Sequence, residues 1–479
     1  MITNLDGGEV GSQKEPEGAT PSRAAMVTFA VLFAMNLLDY LDRNILTAVL
    51  PQLKADRIVA NNLQAGALFT YFLISYSLVS PIMGWLGDRW RRTWLLGLGV
   101  GLWSLATVGT AFARDYQHLV LARALLGVGE ATYGVIAPTI LMDLFARERR
   151  ARVFSAFYLA MPIGSALGLG LGSTIATDWG WRMAFLVVGV PGLIAAFAAF
   201  ALPEPVRGAS EGVDPDRLRA HEKAGASRED YVDLMVNSSY TYSVFGMCAY
   251  TFAIGGMLVW IPTFLINTRG LEQGYSGRLL GLVTLAAAVV GMTVGGRVAD
   301  RLSKTNPRAL FLVPGLAMLA SIPFVLVGLL ARSTPVVFLG IFLAETLMFV
   351  NTGPCNAIIA NVVMPNMRAA AYAVAIFAVH FLGDIWSPML IGWVADTFGR
   401  PEMMNTLLGR AFAAIGALPT QRPDQAPENI LAGLLVVVPA LFISAIVLLS
   451  GARHLPREMA LMRAKLKAAP RASAHPGLN

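Results

Sequence analysis

The chain has 479 residues, of which 56% are hydrophobic and only 14% are charged, and it carries a formal net charge of +7. Soluble domains usually have roughly 25% charged residues, so the composition favours a membrane protein. The Lys and Arg residues lie in short segments between apolar stretches rather than on one soluble face, which disfavours nucleic-acid binding.

Twelve stretches are long and apolar enough to cross a hydrocarbon core of about 30 Å as helices of about 20 residues. They begin near residues 26, 62, 93, 115, 152, 182, 240, 277, 308, 334, 368 and 429. The basic residues concentrate on the side of the membrane that also holds both ends of the chain. By the positive-inside rule, we predict a multi-pass protein of the cell inner membrane with both termini cytoplasmic.

The predicted fold is all-α, with two pseudo-symmetric six-helix bundles joined by a charged linker. The predicted segments are a disordered cytoplasmic tail (1–24), a first bundle (25–203), a cytoplasmic linker (204–239), a second bundle (240–455) that contains an extracytoplasmic loop (401–427), and a cytoplasmic tail (456–479). The sequence leaves two interpretations of the last tail, an amphipathic helix on the membrane surface and a solvated segment.

A short charged turn occurs twice, and this repeat indicates that the two bundles are related. Gly84-Trp-Leu-Gly-Asp88-Arg89 follows the second stretch, and Gly296-Arg-Val-Ala-Asp300-Arg301 follows the eighth. Gly84 would allow a second helix to approach closely. Asp88, Arg89, Asp300 and Arg301 could form ion pairs in one conformation and release them in another, as a cytoplasmic gate. The alternative is that they are ordinary helix-end residues.

Charged residues within the first and fourth stretches are the candidates for proton chemistry. Arg123 and Glu130 are two helical turns apart, on one face and about 10 Å from each other along the axis. Charges inside a membrane span are costly, so they usually face a cavity. Asp39 and Arg43 can pair four residues apart. We predict that Asp42, with Arg43 and Arg123 as its partners, and Glu130 are proton-titrating groups. A purely structural charge cluster is the alternative.

The later stretches carry fewer charges, and the seventh has no Asp, Glu, Lys, Arg or His between residues 241 and 266. A charged first half facing an apolar second half predicts an amphipathic cavity. The residues predicted to line it are Asp39, Tyr40, Arg43, Arg123, Tyr133, Tyr250, Glu345, His380 and Asp384. The His380 and Asp384 pair could be a second proton site, a substrate contact or a satisfied polar pair near a helix break.

No phosphate-binding loop, His-Glu-x-x-His sequence or ligand-spaced Cys pair occurs in the sequence. An ATP-driven pump and a membrane protease are therefore disfavoured, and no metal or organic cofactor is predicted.

Several of these segments resemble a known family. The Gly84-to-Arg89 turn and Arg123-x-x-x-Gly127-x-Gly129 are similar to signatures of the major facilitator superfamily. Four segments look like its Spinster branch: Asn36-Leu-Leu-Asp-Tyr-Leu-Asp42-Arg43, Gly127-Val-Gly129-Glu130-Ala, Pro365-Asn366-Met367-Arg368-Ala-Ala-Ala-Tyr372-Ala373 and Leu382-Gly383-Asp384-Ile-Trp-Ser387-Pro388. The resemblance covers nearly all twelve stretches and points to a bacterial homologue.

The resemblance implies a secondary transporter that uses protons as its coupling ion and moves lysolipids or sphingoid-like amphiphiles by alternating access. It also implies that Asp42 and Glu130 are the protonation pair, that Arg43 and Arg123 are the cavity cations, and that Asp88, Arg89, Asp300 and Arg301 form the latch. Membrane lipids are expected partners, and a monomer is expected by analogy. A carrier of small organic anions or drug-like compounds is the alternative. A non-transporting sensor and a lipid enzyme are disfavoured.

Overall fold

The computed structural model describes residues 22–87, 89–145, 153–154, 156–205, 232, 234–363, 368–421 and 426–468. Within these residues, twelve helical segments are long and apolar enough to cross a membrane, which confirms the predicted all-α membrane fold. Most of the predicted tail 1–24 and most of the predicted linker 204–239 lie outside the described residues.

Six helices form the first half. They are α1 (Arg23–Ala55), α2 (Asn62–Gly87), α3 (Arg92–Thr110), α4 (Tyr116–Leu144), α5 (Ala160–Trp179) and α6 (Trp181–Ala201). Asp115 caps α4 by accepting a hydrogen bond from the backbone N–H of His118, as expected for an acidic residue at a helix start.

The second half has six spans, of which three are interrupted. Its helices are α7 (Ser238–Asn267), α8 (Gln273–Ser303), α9 (Ala309–Leu330), α10 (Thr334–Phe349), α11 (Thr352–Val362), α12 (Arg368–Val379), α13 (Ser387–Thr397), α14 (Pro401–Met404), α15 (Leu407–Ala414), α16 (Ile430–Leu434), α17 (Val437–Gly451) and α18 (Leu455–Ala468). The tenth span is α10 with α11, the eleventh is α12 with α13, and the twelfth is α16 with α17.

Equivalent helices pack together in the two halves, which gives the pseudo-symmetry. In the first half, α2 packs against α4 and α3 against α6; in the second half, α8 packs against α10 and α9 against α17. The apolar side chains of these helices supply two large buried clusters. A repeated arrangement of this kind is typical of transporters built from parallel repeats.

The two ends of the molecule differ. We call the end with Arg23, Ala201, Ser238 and Gly451 the terminal end, and the opposite one the far end. Toward the far end, α2 contacts α13 and α5 contacts α8, so that the halves meet there. At the terminal end, no hydrogen bond or ion pair joins described residues of the two halves.

Glycine permits the closest of these contacts between halves. A Cβ atom on Gly66 of α2 would lie 2.3 Å from the carbonyl oxygen of Pro388 in α13. Such a distance is too short for any real side chain, so the residue at this position must be glycine for the far end to close as observed.

Four segments of the second half show detail beyond continuous spans joined by loops. The tenth span breaks at Val350 and Asn351, and the eleventh has a π-helical turn from His380 to Asp384. The predicted loop 401–427 contains the short helices α14 and α15. The C-terminal tail begins with helix α18, whose Glu458 accepts hydrogen bonds from the first backbone N–H groups of α7.

Candidate functional site

A cavity lies between the two halves and offers about 170 Å³ to water-sized molecules. Most of the residues that line it are Leu, Phe, Val, Gly and Pro. Its polar lining residues are Arg43, Asn44, Thr47, Arg123 and Asp384. Four of these five belong to the first half, so the cavity has one charged wall and one largely apolar wall.

Arg43 on α1 is the centre of the charged wall. Its Nε atom donates to Glu130 Oε2 at 2.7 Å, and its Nη2 atom lies 3.3 Å from Asp39 Oδ2. The aromatic rings of Tyr40, Phe72 and Tyr76 lie within 5.3 Å of its guanidinium carbon. Two carboxylates and several ring faces thus hold one guanidinium at the cavity surface.

The two carboxyl groups of this cluster also lie near each other. Asp39 on α1 and Glu130 on α4 lie close enough to interact directly as well as through Arg43. Glu130 is fully buried, and its second oxygen, Oε1, has no hydrogen-bond partner among the described residues. The cluster therefore contains two acidic groups, one cation and an unused acceptor.

Asp42 has a different environment from the one predicted. It is 1% exposed, and it accepts a hydrogen bond from the Thr107 hydroxyl of α3. The ion pairs of Arg43 go to Asp39 and Glu130 rather than to Asp42. Consecutive residues of a helix point about 100° apart, which sends Asp42 toward α3 and Arg43 toward the cavity.

Arg123 on α4 lines the cavity but has few partners. It interacts electrostatically with Asp42. Its Nη2 atom is 3.5 Å from the Thr110 hydroxyl, and its guanidinium carbon is 5.7 Å from the Phe185 ring centroid. Its Nε atom has no hydrogen-bond partner among the described residues. A donor next to the cavity is thus available for an anionic group.

In the second half, the predicted His380 and Asp384 pair is formed. His380 Nδ1 lies 2.9 Å from Asp384 Oδ2, on the π-helical turn of the eleventh span. Asp384 also lines the cavity. The arrangement fits a satisfied polar pair at a helix irregularity that also presents an acid to the cavity.

Other residues predicted for the cavity are absent from its observed lining. Tyr133 is buried and donates its hydroxyl hydrogen bond to the Leu32 carbonyl at 2.7 Å, while Tyr40 stacks near Arg43. Tyr250 is 8% exposed and Glu345 is fully buried. Helix α7 presents Gly255, Leu258 and Val259 to the cavity instead of Tyr250, and no described residue of α10 lines the cavity.

The described residues predicted to form a gate lie near the terminal end of the molecule. Arg89 is exposed and stacks on Trp85, and Asp300 and Arg301 are exposed. A Cβ atom on Gly84 would have no neighbour closer than 3.7 Å, so no helix makes the predicted close approach there. Asp88 lies outside the described residues.

A polar network that closes the far end was not predicted. Lys54, in the last turn of α1, donates to Glu428 of the second half, and both side chains are 6% exposed. Asn62 Nδ2 lies 2.9 Å from Glu428 Oε2 and 2.8 Å from Asp396 Oδ1. Asn267 Nδ2 donates to Glu428 Oε1 at 2.5 Å. We call these five residues the far-end network.

The carboxyl of Glu428 lies outside the membrane-spanning segments and is held in its charged form. Its burial alone would raise its pKa, but the charge of Lys54 and hydrogen bonds from Lys54, Asn62 and Asn267 outweigh this effect. The net result is a pKa below the usual value for Glu.

Among the described residues, no group of three or more His, Cys, Asp or Glu side chains is arranged to hold a metal ion.

Comparison with known proteins agrees with this architecture. The family model of the major facilitator superfamily matches residues 32–388. The chain is 36% identical over 435 residues to protein spinster homolog 1 of Homo sapiens, covering 84% of this chain and 80% of that protein. It is 35% identical over 414 residues to protein spinster homolog 3 of Danio rerio, covering 81% and 82%.

Solved structures show the same fold. The chain superposes on a bacterial homologue of the human lysosomal transporter Spinster, in an inward-facing and unoccupied conformation, with a TM-score of 0.79 and 19% identity over 92% of this chain and 99% of the other. A D-xylose–proton symporter superposes with a TM-score of 0.66 and 15% identity, covering 90% of this chain and 97% of the other. The chain therefore belongs to the major facilitator superfamily and, within it, to the Spinster family of membrane transporters.

Proposed function

We propose that this Spinster-family transporter moves lysolipid-like or sphingoid-like amphiphiles by proton-coupled alternating access. The observation that carries the proposal is the cluster of Asp39, Arg43 and Glu130, which presents Arg43 to a cavity whose lining is mostly apolar. A charged head group fits the side with Arg43 and Arg123, and an acyl chain fits the side with Leu and Phe.

The cluster also supplies a physical basis for proton coupling. Two ionised carboxylates beside one guanidinium leave a net negative charge in a place of low dielectric, which is unfavourable. One proton shared by Asp39 and Glu130 would leave a single ion pair. Protonation also weakens the hold of the carboxylates on Arg43, which is then available for an anionic head group. Proton binding and anion binding thus favour the same state of the transporter.

We also propose a cytoplasmic membrane location with both termini in the cytoplasm. The supporting pattern is the concentration of Arg and Lys in the segments on that side of the spans. In that orientation the far end faces outward and is closed by the far-end network, so the structure corresponds to an inward-facing conformation. Alternating access then requires the far-end network to open and the terminal end to close.

A second candidate is a proton-coupled carrier of small organic anions. Two guanidinium groups on one cavity wall, with about 170 Å³ between the halves, favour this alternative. Arg43 and Arg123 could together bind a carboxylate or a phosphate, as such side chains commonly do.

Uptake assays with reconstituted protein distinguish these two candidates. Purified transporter in liposomes is tested for uptake of a labelled lysophospholipid and of small organic anions, with and without a pH gradient. The variants are Glu130→Gln, Asp39→Asn and Asp42→Asn, with Asp115→Asn as the matched control because Asp115 is exposed and Asn also caps helices.

We expect pH-driven lysolipid uptake by the wild type and the Asp115→Asn control, and its loss in Glu130→Gln. Anion uptake without lysolipid uptake would favour the second candidate. Lysolipid uptake that is equal in wild type, Glu130→Gln, Asp39→Asn and Asp42→Asn would contradict proton coupling through these groups.

A further inference from the structure

We propose that Glu345 is a second proton-binding site, in the second half of the transporter, which holds a proton in this conformation and releases it in the opposite one. The proposal rests on the proposed proton-coupled function and adds a proton carrier outside the Asp39, Arg43 and Glu130 cluster.

Glu345 lies inside the tenth span and is completely buried. It is 0% exposed, and neither of its carboxyl oxygens has a hydrogen-bond partner among the described residues. The hydroxyl of Thr284 on α8 interacts with it, although not at hydrogen-bonding geometry. An ionised carboxylate in such a place would cost several kcal/mol, so the group is neutral here.

No cation among the described residues compensates for the Glu345 charge. The helices α7 and α9, which pack against α10, and α11, which continues the tenth span, contain no Asp, Glu, Lys, Arg or His. The charged residues of α8 are Arg278 near the far end and Arg297, Asp300 and Arg301 near the terminal end, and all four are exposed. The titratable groups near Glu345 are the Tyr250 phenol and, beyond it, the Cys355 thiol.

Several buried polar side chains around Glu345 also lack hydrogen-bond partners among the described residues, which favours a rearrangement. The tenth span breaks at Val350 and Asn351, just after Glu345. The side-chain atoms Thr346 Oγ1, Asn351 Nδ2 and Thr284 Oγ1 are buried without hydrogen-bond partners among the described residues. A buried polar atom without a hydrogen-bond partner is unfavourable. A conformation that lets water reach such atoms removes this cost.

These observations give a simple cycle for the proton. In the observed conformation the carboxyl is neutral and inaccessible. When the tenth span shifts and water enters, the charged form of Glu345 is solvated, and the proton leaves to that water. No other reactant is required, because the step is the dissociation of one O–H bond to give a carboxylate and a hydrated proton.

The protonation state can be measured without transport. Infrared spectra of purified protein at neutral pH show the carbonyl band of buried protonated carboxyl groups, which shifts in heavy water. We expect Glu345→Gln to lack one such band and Asp115→Asn to retain it. Identical bands in wild type and Glu345→Gln would overturn the proposal, because Glu345 would then be ionised.

Transport measurements test the release step. Glu345→Gln imitates the protonated group, so we expect lysophospholipid counterflow close to that of the wild type but a loss of about tenfold or more in accumulation driven by a pH gradient. Wild-type accumulation would overturn release. Loss of both activities in a variant that still unfolds cooperatively would also overturn it, because the protonated form would then be unable to cycle.

One further variant and one wild-type control complete the test. Glu345→Met removes the polar group at similar volume, and the same two transport outcomes apply to it if Glu345→Gln does not fold. If the wild type itself shows no accumulation with a pH gradient, the proposed function fails, whereas the infrared measurement still decides whether Glu345 carries a proton.

Discussion

Lys54 near the end of α1 donates a hydrogen bond to Glu428, which precedes α16 in the other half of the molecule. Both side chains are 6% exposed, so the ion pair is almost completely shielded from water. Asn62 and Asn267 donate to the same carboxylate. Because the two halves must separate here for the far end to open, this pair favours the closed conformation.

Removal of one partner of this pair is expected to open the far end. Glu428→Gln leaves the Lys54 ammonium buried without its counter-ion, which typically costs about 3–5 kcal/mol. An open far end would hydrate Lys54 and recover much of this cost. The measurement uses Thr47→Cys, a position on the cavity wall, in protein whose buried Cys248 and Cys355 are replaced by Ser. The new cysteine is labelled with a membrane-impermeant maleimide.

The matched control for this prediction is a double variant. Lys54→Met together with Glu428→Gln removes both charges of the ion pair, so we expect labelling between those of the wild type and of Glu428→Gln. Equal labelling in wild type and Glu428→Gln would contradict the assigned role of the pair.

The same pair predicts an acid-induced opening. The Glu428 pKa lies below its usual value of about 4.3 when the far end is closed. The stabilisation is therefore complete above that value and is lost as the pH falls through the lowered pKa. Maleimides react with the thiolate, so labelling of Thr47→Cys at each pH is divided by that of the unfolded protein at the same pH. This ratio should stay constant from about pH 8 to pH 5 and rise only at lower pH.

Lys54→Met should reverse this pH dependence. Burial raises the Glu428 pKa, and in this variant only the hydrogen bonds from Asn62 and Asn267 still oppose it. The closed far end favours the protonated carboxyl in this variant, so labelling should increase as the pH rises. An unchanged profile in Lys54→Met would show that the pair does not set the pH response.

Arg43 and Arg123 should respond differently to replacement by Lys. Arg43 bridges Asp39 and Glu130, and Lys cannot reproduce two directed contacts from one planar group. We expect Arg43→Lys to lower the thermal unfolding temperature. Arg123 has an unused Nε donor, so Arg123→Lys should mainly weaken binding, by about tenfold or 1.4 kcal/mol.

The two measurements are the unfolding temperature of purified protein and the concentration dependence of lysophospholipid counterflow. A stable Arg43→Lys variant, or an Arg123→Lys variant with unchanged concentration dependence, would argue against these roles.

Gly66 should be intolerant of a methyl group because of its contact with the opposite half. The added Cβ would lie 2.3 Å from the Pro388 carbonyl oxygen, which belongs to the backbone and cannot rotate away. Gly66→Ala should therefore increase far-end labelling of Thr47→Cys without unfolding either half. Gly109→Ala, also toward the far end, is the control because nothing lies within 4 Å of its Cβ position. Equal labelling in both would contradict this interpretation.

Much of this architecture could be predicted from the sequence. The length and hydrophobicity of each span are local properties, so the twelve helices could be recognised and most begin within a few residues of the predicted positions. The i, i+4 spacing likewise predicted the contacts of Asp39 with Arg43 and of His380 with Asp384, because such residues lie on one face of a helix.

Contacts between helices that lie far apart in the sequence were harder to predict. The sequence suggested Arg43 and Arg123 as partners of Asp42. In the structure Arg43 forms its ion pairs with Asp39 and Glu130, whereas Asp42 accepts a hydrogen bond from Thr107 and interacts electrostatically with Arg123. Glu345 was expected in the cavity because it is an acid in a span, but helix rotation places it in the interior of the second half. The signal for Lys54 was a charge at a span end, which alone does not identify Glu428 as its partner.

The sequence by itself determined that the chain is a twelve-span helical membrane protein with charged groups in its first half, because hydrophobic length and helical periodicity are encoded locally. Only the tertiary structure decided which charges meet and which end of the molecule is closed. Those depend on the rotation of each helix about its axis and on the relative position of the two halves, which are set by packing among residues that lie hundreds of positions apart.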